Sequence, residues 1–242
     1  MMKRILILLS IIFILCGCTK EQKPNKPVHG CDLIDDCDDG QYDTAHLSFK
    51  EAYESLNGKT NASGKEYRSI TIPEDNPFIE VTASEILEKI RNKESFYVYI
   101  GDEMCPWCRS VIEKAIEIAK EADIGKIYYI QIWDDDHNEV LRDQYKYEDG
   151  QLVQVLEGPK EYQELLKLWG DLLEDYTLTV DEEEIQVGEK RIYAPNFLYI
   201  ENGEAIRFTT GISNLQEDAR NELSEEILKD EETQFKAFFG VN

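Results

Sequence analysis

Phe96-Tyr97-Val98-Tyr99-Ile100-Gly101-Asp102-Glu103-Met104-Cys105-Pro106-Trp107-Cys108 opens with an aromatic and β-branched run and ends in two cysteines separated by two residues. The run reads as a buried strand. From Arg109 to about Ala122, Val111, Ile112, Ala115, Ile116, Ile118, Ala119 and Ala122 recur at helical spacing. A strand that turns directly into a helix places Cys105 at the helix N-terminus, where unpaired N–H groups and the helix dipole stabilise a thiolate. That lowers its pKa from the ~8.5 of a free thiol and makes it the exposed attacking sulfur. Cys108, one turn inside, is expected to be more buried and to resolve a mixed disulfide.

On the N-terminal side, Phe78-Ile79-Glu80-Val81 reads as a short strand. Thr82 or Ser84 caps the helix that follows, with Ile86, Leu87 and Ile90 on its apolar face. On the C-terminal side, Ile127 to Ile132 is a third strand. The order β-α-β-α-β predicts an α/β fold with largely parallel strands and right-handed crossovers. Asp134 to Val187 is longer than a crossover needs. Within it Pro159 suits the first turn of a helix with Tyr162, Leu165, Leu166, Trp169, Leu172 and Leu173 on one face. Thr177 to Lys190 reads as an extra strand pair bearing the acidic run Glu182-Glu183-Glu184. Beyond it comes the strand Tyr193-Ala194-Pro195-Asn196-Phe197-Leu198-Tyr199-Ile200. Asn202-Gly203 is the turn of a two-residue hairpin, so Ala205 to Thr209 returns antiparallel. One or two helices with Leu223, Ile227, Phe235 and Phe239 facing inward close the chain.

Lys3 and Arg4 precede an apolar run, Ile5 to Cys16, of about 12 residues, short of the ~20 that span a bilayer. The run ends in Leu15-Cys16-Gly17-Cys18, which resembles a bacterial lipobox; Cys16 departs from the small residue usual at that position. Residues 1–18 are therefore expected to be a lipoprotein signal with lipidation on Cys18, the alternatives being an uncleaved anchor or an ordinary secretory signal. Thr19 to Gly30, rich in Lys, Pro, Asn and Gln, reads as a tether. His29 to Asp43 is a compact acidic segment, Leu47 to Leu56 a short helix, and Asn57 to Lys65 is turn-rich. Residues 19–69 are assigned to this tether and acidic segment, and the folded domain is expected over 70–242.

The chain has 242 residues, 42% of them hydrophobic and 31% charged, enough for one packed domain. Its formal net charge is −24, from 50 acidic and 26 basic residues, which disfavours nucleic acid and anionic membrane surfaces as partners. Once Cys16 leaves and Cys18 is lipidated, Cys31, Cys37, Cys105 and Cys108 remain outside the cytoplasm, where disulfides persist. The close pairs are 31–37 and 105–108. For Cys31 and Cys37 both a structural disulfide and a redox relay with Cys105 are open. A lone C-x-x-C is also half a zinc site, but a structural zinc needs four ligands. Neither His29, His46 and His137 nor Cys31 and Cys37 have the spacing of a second half, so redox chemistry without metal or cofactor is expected. Asp35, Asp36, Asp38 and Asp39 hint at calcium, yet Cys37 interrupts the ligand spacing.

C-x-x-C at a strand–helix junction, Pro195 at the strand of a terminal hairpin and the element order together resemble the thioredoxin-like superfamily over about Ile70 to Asn242. Proline first in the dipeptide is similar to glutaredoxins and to the thioredoxin-like proteins called bacteriocin transport accessory proteins, and Phe96 to Gly101 resembles the latter best. The resemblance implies a central mixed sheet flanked by helices, with an enlarged insertion before the cis-proline strand. It implies that Cys105 and Cys108 form a redox-active disulfide and that Pro195 is a cis-proline leaving a backbone edge open for an extended partner strand; an ordinary trans-proline is the alternative. Trp107 offers an apolar surface to a partner or packs over the sulfurs. The implied partner is an exported protein or peptide with cysteines, with a membrane redox partner as a further possibility, at the outer face of a bacterial cell membrane. A non-enzymatic accessory protein that binds an exported polypeptide is the alternative. Two positions depart from the family. Tyr99 stands where a buried acid relays protons to the resolving thiol. Asp102 and Glu103 place negative charge before the motif, which is expected to raise the Cys105 pKa relative to a site with histidine or lysine.

Overall fold

The computed structural model describes Thr44 and residues 47–132, 141–180 and 183–241. The signal segment, Cys18, Cys31, Cys37, the acidic segment to Asp43, His46 and His137 lie outside the described residues.

The first helix, α1 (Phe49–Ser55), starts in a capping box: Ser48 Oγ accepts from the Glu51 N–H at 3.4 Å, and the Ser48 N–H donates to the Glu51 carboxylate at 3.0 Å. Phe49 stacks on Phe78 with ring centroids 4.4 Å apart, and Tyr53 is fully buried. Phe49, Tyr53, Ile70 and Ile72 belong to the same core as the sheet, so packing reaches back past Ile70, where the domain was expected to begin. A helix of this length is marginal by itself. Burial of its two aromatics, about 1.5–3 kcal/mol each, fixes it to the body.

Next come β1 (Phe78–Glu80), α2 (Ala83–Arg91), β2 (Phe96–Gly101), α3 (Pro106–Glu121) and β3 (Ile127–Gln131). Thr82, not Ser84, caps α2, its hydroxyl accepting from the Glu85 N–H at 3.2 Å. β1 and β2 each pair parallel with β3.

The segment before Pro195 holds more structure than the sequence pattern predicts. A hairpin of β4 (Gln144–Glu148) and β5 (Gln151–Leu156) precedes α4 (Lys160–Trp169). Asp149 and Gly150 make its turn with φ of 51° and 78°, both in the left-handed region that a two-residue hairpin requires. The expected strand pair follows as β6 (Glu174–Val180) and β7 (Glu183–Arg191). Helix α4 ends at Trp169, so Leu172 and Leu173 lie beyond it, with Leu173 still in the core.

β8 (Asn196–Glu201) pairs antiparallel with β2, and β9 (Glu204–Thr209) pairs with β8 across the Asn202-Gly203 turn. A single helix, α5 (Glu225–Phe239), closes the described chain. It buries Ile227, Phe235, Phe238 and Phe239, while Leu223 stays outside it and half-buried. The result is an α/β fold around a mixed five-stranded sheet of order β1-β3-β2-β8-β9. β2 is the middle strand, so the turn at its carboxyl end, residues 102–105, emerges at the centre of the sheet, where α/β folds place their sites.

Candidate active site

Cys105 is the N-cap of α3, with extended backbone (φ −68°, ψ 118°), and Pro106 is the first helical residue, where a missing N–H costs nothing. The Cys105 Sγ accepts from the Cys108 N–H at 3.5 Å and, as a thiol, donates to the Ala194 carbonyl at 3.4 Å. The Ala194–Pro195 peptide is cis. Cys105 and Cys108 are both unbridged thiols. Their depth differs from the expected pattern: Cys105 is only 2% exposed and Cys108 0%, so the outer sulfur is buried almost as deeply as the inner one.

Burial pushes the Cys105 thiol up, but hydrogen bonds from the Cys108 side chain and N–H, then the charge of Arg142 and the Trp107 N–H, outweigh it and leave the thiol below its ordinary value. The Cys105 thiol is thus below its ordinary value with Asp102 and Glu103 in place. Asp102 is itself buried, and burial, the Glu103 carboxylate and Cys105 hold its carboxyl well above the usual range. Burial thus favours the neutral form of Asp102, which places no charge on the sulfur. Its Oδ1 instead accepts from the Met104 N–H, and its carbonyl accepts from the Cys105 N–H at 3.3 Å, which shapes the turn. Glu103 points the other way, taking hydrogen bonds from Gln131 at 3.0 and 3.1 Å and from the Thr44 hydroxyl.

Burial also pushes the Cys108 thiol well up, reinforced by Cys105 and opposed by Tyr99. The Tyr99 ring is stacked on Phe197 at 4.5 Å and on Tyr129 at 5.4 Å. Its hydroxyl fills the space above Gly101, which shares its face of β2; a Cβ there would lie 2.0 Å from the oxygen.

Trp107 is half-buried against the core, with its Nε1 buried and unpartnered, so it packs beside the sulfurs rather than standing free. Pro195 is buried, and the Ala194 carbonyl before it accepts from Cys105.

Three groups escaped the sequence reading. Arg142 is buried and acts on Cys105 and Asp102. Its segment is held by Asp143, which accepts from the Gly158 N–H at 2.7 Å and from Gln163 at 2.8 Å, and by Arg191, which donates to the Asp143 carbonyl at 3.2 Å. Arg109 spends all its donors inside the fold. Nε donates to the Arg68 carbonyl at 2.8 Å; Nη1 to the Tyr53 and Glu103 carbonyls at 2.8 and 3.0 Å; Nη2 to Asn57 Oδ1 at 2.8 Å and to the Arg68 carbonyl at 2.6 Å. Tyr53, from α1, brings its hydroxyl to 2.8 Å from that of Tyr99. The available signals were Asp149-Gly150 for the hairpin after Arg142 and a charge on the inward stripe of a helix for Arg109.

Among the described residues no three His, Cys, Asp or Glu side chains come together as a metal-holding group, and no helix is long and apolar enough to cross a membrane. No protein-family model matches the chain, and no curated protein matches it.

Proposed function

We propose that the chain is a thiol–disulfide oxidoreductase of thioredoxin-like fold, acting on protein disulfides through Cys105 and Cys108. The observation that carries this reading is the divergence of two adjacent thiols. Both are buried, yet Cys105 at the helix N-terminus is held below its ordinary pKa while Cys108 is held well above it. A nucleophile whose thiolate is favoured, beside a second thiol that holds its proton more tightly, suits attack followed by resolution. The position of the Ala194–Pro195 peptide against Cys105 and the order β1-β3-β2-β8-β9 favour the thioredoxin-like reading of the fold. The sequence of residues 1–18 supports a lipid anchor on Cys18 at the outer face of a bacterial membrane, with exported, cysteine-bearing proteins or peptides as substrates and a membrane redox partner as the source or sink of electrons.

A second reading, a non-enzymatic accessory protein that binds an exported polypeptide, draws on the burial of both sulfurs and on the β4–β5 hairpin, which exposes Tyr147, Val153, Val155 and Leu156. Insulin reduction or disulfide isomerisation by the wild type and by Cys105→Ser separates the two. Turnover by the wild type that Cys105→Ser abolishes is expected; equal, negligible turnover in both overturns the enzyme reading. The 105–108 reduction potential then sets the direction of electron flow.

A further inference from the structure

The resolving step needs a group that can face Cys108 both as a thiol and as a thiolate. Tyr99 and Cys108 are both fully buried in the same core, and Tyr99 opposes the rise of the Cys108 thiol as a hydrogen-bonding partner. Its oxygen is 2.8 Å from the Tyr53 hydroxyl, which is itself 3.2 Å from the Asp102 carbonyl. A carbonyl only accepts, so Tyr53 donates to it and its oxygen takes the Tyr99 proton. Once Cys105 is bonded to a substrate sulfur and no longer takes the Cys108 S–H, the Tyr99 oxygen is free to accept it.

We propose that Tyr99 and Tyr53 form a reversible phenol pair, in which Tyr99 donates to the Cys108 sulfur as its proton leaves and Tyr53 positions it. The inference rests on the dithiol reading above. On deprotonation the Tyr99 O–H turns to the sulfur, the Tyr53 O–H turns from the Asp102 carbonyl to the Tyr99 oxygen, and no heavy atom moves. The stacked rings of Phe197 and Tyr129 and the space at Gly101 hold the Tyr99 oxygen in place for both states. The Tyr53 backbone is pinned by Arg109, so a helix upstream of the sheet controls a hydroxyl beside the reacting sulfur.

The chemistry balances without another reagent. With a substrate sulfur joined to Cys105, the Cys108 sulfur attacks Cys105, forms the 105–108 disulfide and breaks the bond to the substrate. The electron pair leaves on the substrate sulfur, which ends with the proton that Cys108 gave up. The substrate disulfide is reduced by two electrons and the dithiol is oxidised.

Phenols suit this place because burial holds both well above their ordinary pKa. Burial thus favours their neutral, donating form, whereas a carboxylate would repel the new thiolate. The titratable or charged groups around the pair are Cys105, Cys108 and Arg109 on α3, Asp102 and Glu103 in the turn, and Tyr129 on β3.

The test loads Cys105 of the full chain with glutathione and follows closure of the 105–108 disulfide against pH in the wild type, Tyr99→Phe and Tyr53→Phe. In Tyr99→Phe the midpoint is expected to rise by about one pH unit, which is about tenfold slower closure at pH 7. Tyr53→Phe, which keeps the donor but loosens it, is expected to slow closure about threefold, or roughly half a pH unit. Alkylation of Cys105 keeps its wild-type pH profile in both. A Tyr99→Phe profile superimposable on the wild type, or slowing by one factor at every pH, overturns the proposal. A wild type that never closes the disulfide overturns the dithiol reading, and this proposal with it.

Discussion

Cys105 and Cys108 sit one helical turn apart at nearly equal depth, yet the regions that face them come from different parts of the chain, one before α3 and one after β3. Cys108 faces α1 and β2: the phenols of Tyr53 and Tyr99, with Arg109 bonded to carbonyls behind them. Cys105 faces the segment after β3 and the peptide before Pro195: the Arg142 guanidinium and the Ala194 carbonyl. Depth alone pushes both thiols up. Only the side that adds a cation and directed N–H groups reverses the push. Where a sulfur lies matters less than what it faces, and the segment between β3 and Pro195 supplies the cation.

The comparison breaks most severely at Arg109. Removing its side chain strands the acceptors of Tyr53, Asn57, Arg68 and Glu103 inside the fold, and each hydrogen bond to a charged donor is worth about 1.5–3 kcal/mol. Arg109→Met is expected to cost about 3 kcal/mol or more, a fall in Tm of roughly 6–12 °C for a domain of this size. Arg109→Lys recovers only part, because one ammonium cannot span a fork of five donors. Thermal unfolding of the two variants checks this. In the protein that remains folded, the damage reaches Cys108 through Tyr53 and leaves the Arg142 side of Cys105 in place.

The other side is weaker and is read as a rate. Arg142→Met removes a positive charge near Cys105, so its thiol pKa rises towards the value burial alone would set. Alkylation at pH 7 slows by up to about tenfold, one pH unit of displacement. Arg142→Lys keeps the charge and restores most of the rate. Alkylation that is unchanged in Arg142→Met would mean that the N–H groups of the α3 first turn suffice, and the contrast between the two regions would shrink to hydrogen bonding alone.

These residues also mark how far the site was legible. Alternating and helical apolar patterns report which backbone is buried, so β1, α2, β2, α3, β3, β8 and β9 were readable, and Cys105 and Cys108 followed from a strand that runs into a helix. Patterns do not report which distant side chain meets which. Arg142 reaches Cys105 from 37 positions away through a chain of contacts by Asp143 and Arg191 that leaves no local trace. Tyr53 lay on a helix that was recognised but set outside the domain, because a seven-residue helix shows its value only once it packs. The local acidity of Asp102 and Glu103 is incomplete for the same reason: burial pushes one carboxyl well up, and Gln131 and Thr44 bind the other.

Asp102 gives the smallest effect and the sharpest test of that last point. Its folded pKa is well above the unfolded value of about 4, so folding takes up a proton as pH rises between the two. The unfolded state binds fewer protons there, and stability therefore falls as pH climbs from about 4 through the folded pKa. Asp102→Asn keeps the acceptor for the Met104 N–H and removes the titration. It is expected to match the wild type in Tm at pH 4 and to exceed it increasingly towards pH 8. At pH 7 it should change Cys105 alkylation by less than about twofold, since a neutral carboxyl exerts no net coulombic force on the thiolate. A large acceleration at pH 7 would show Asp102 to be ionised in the folded protein and to set its negative charge on Cys105 against the positive charge of Arg142.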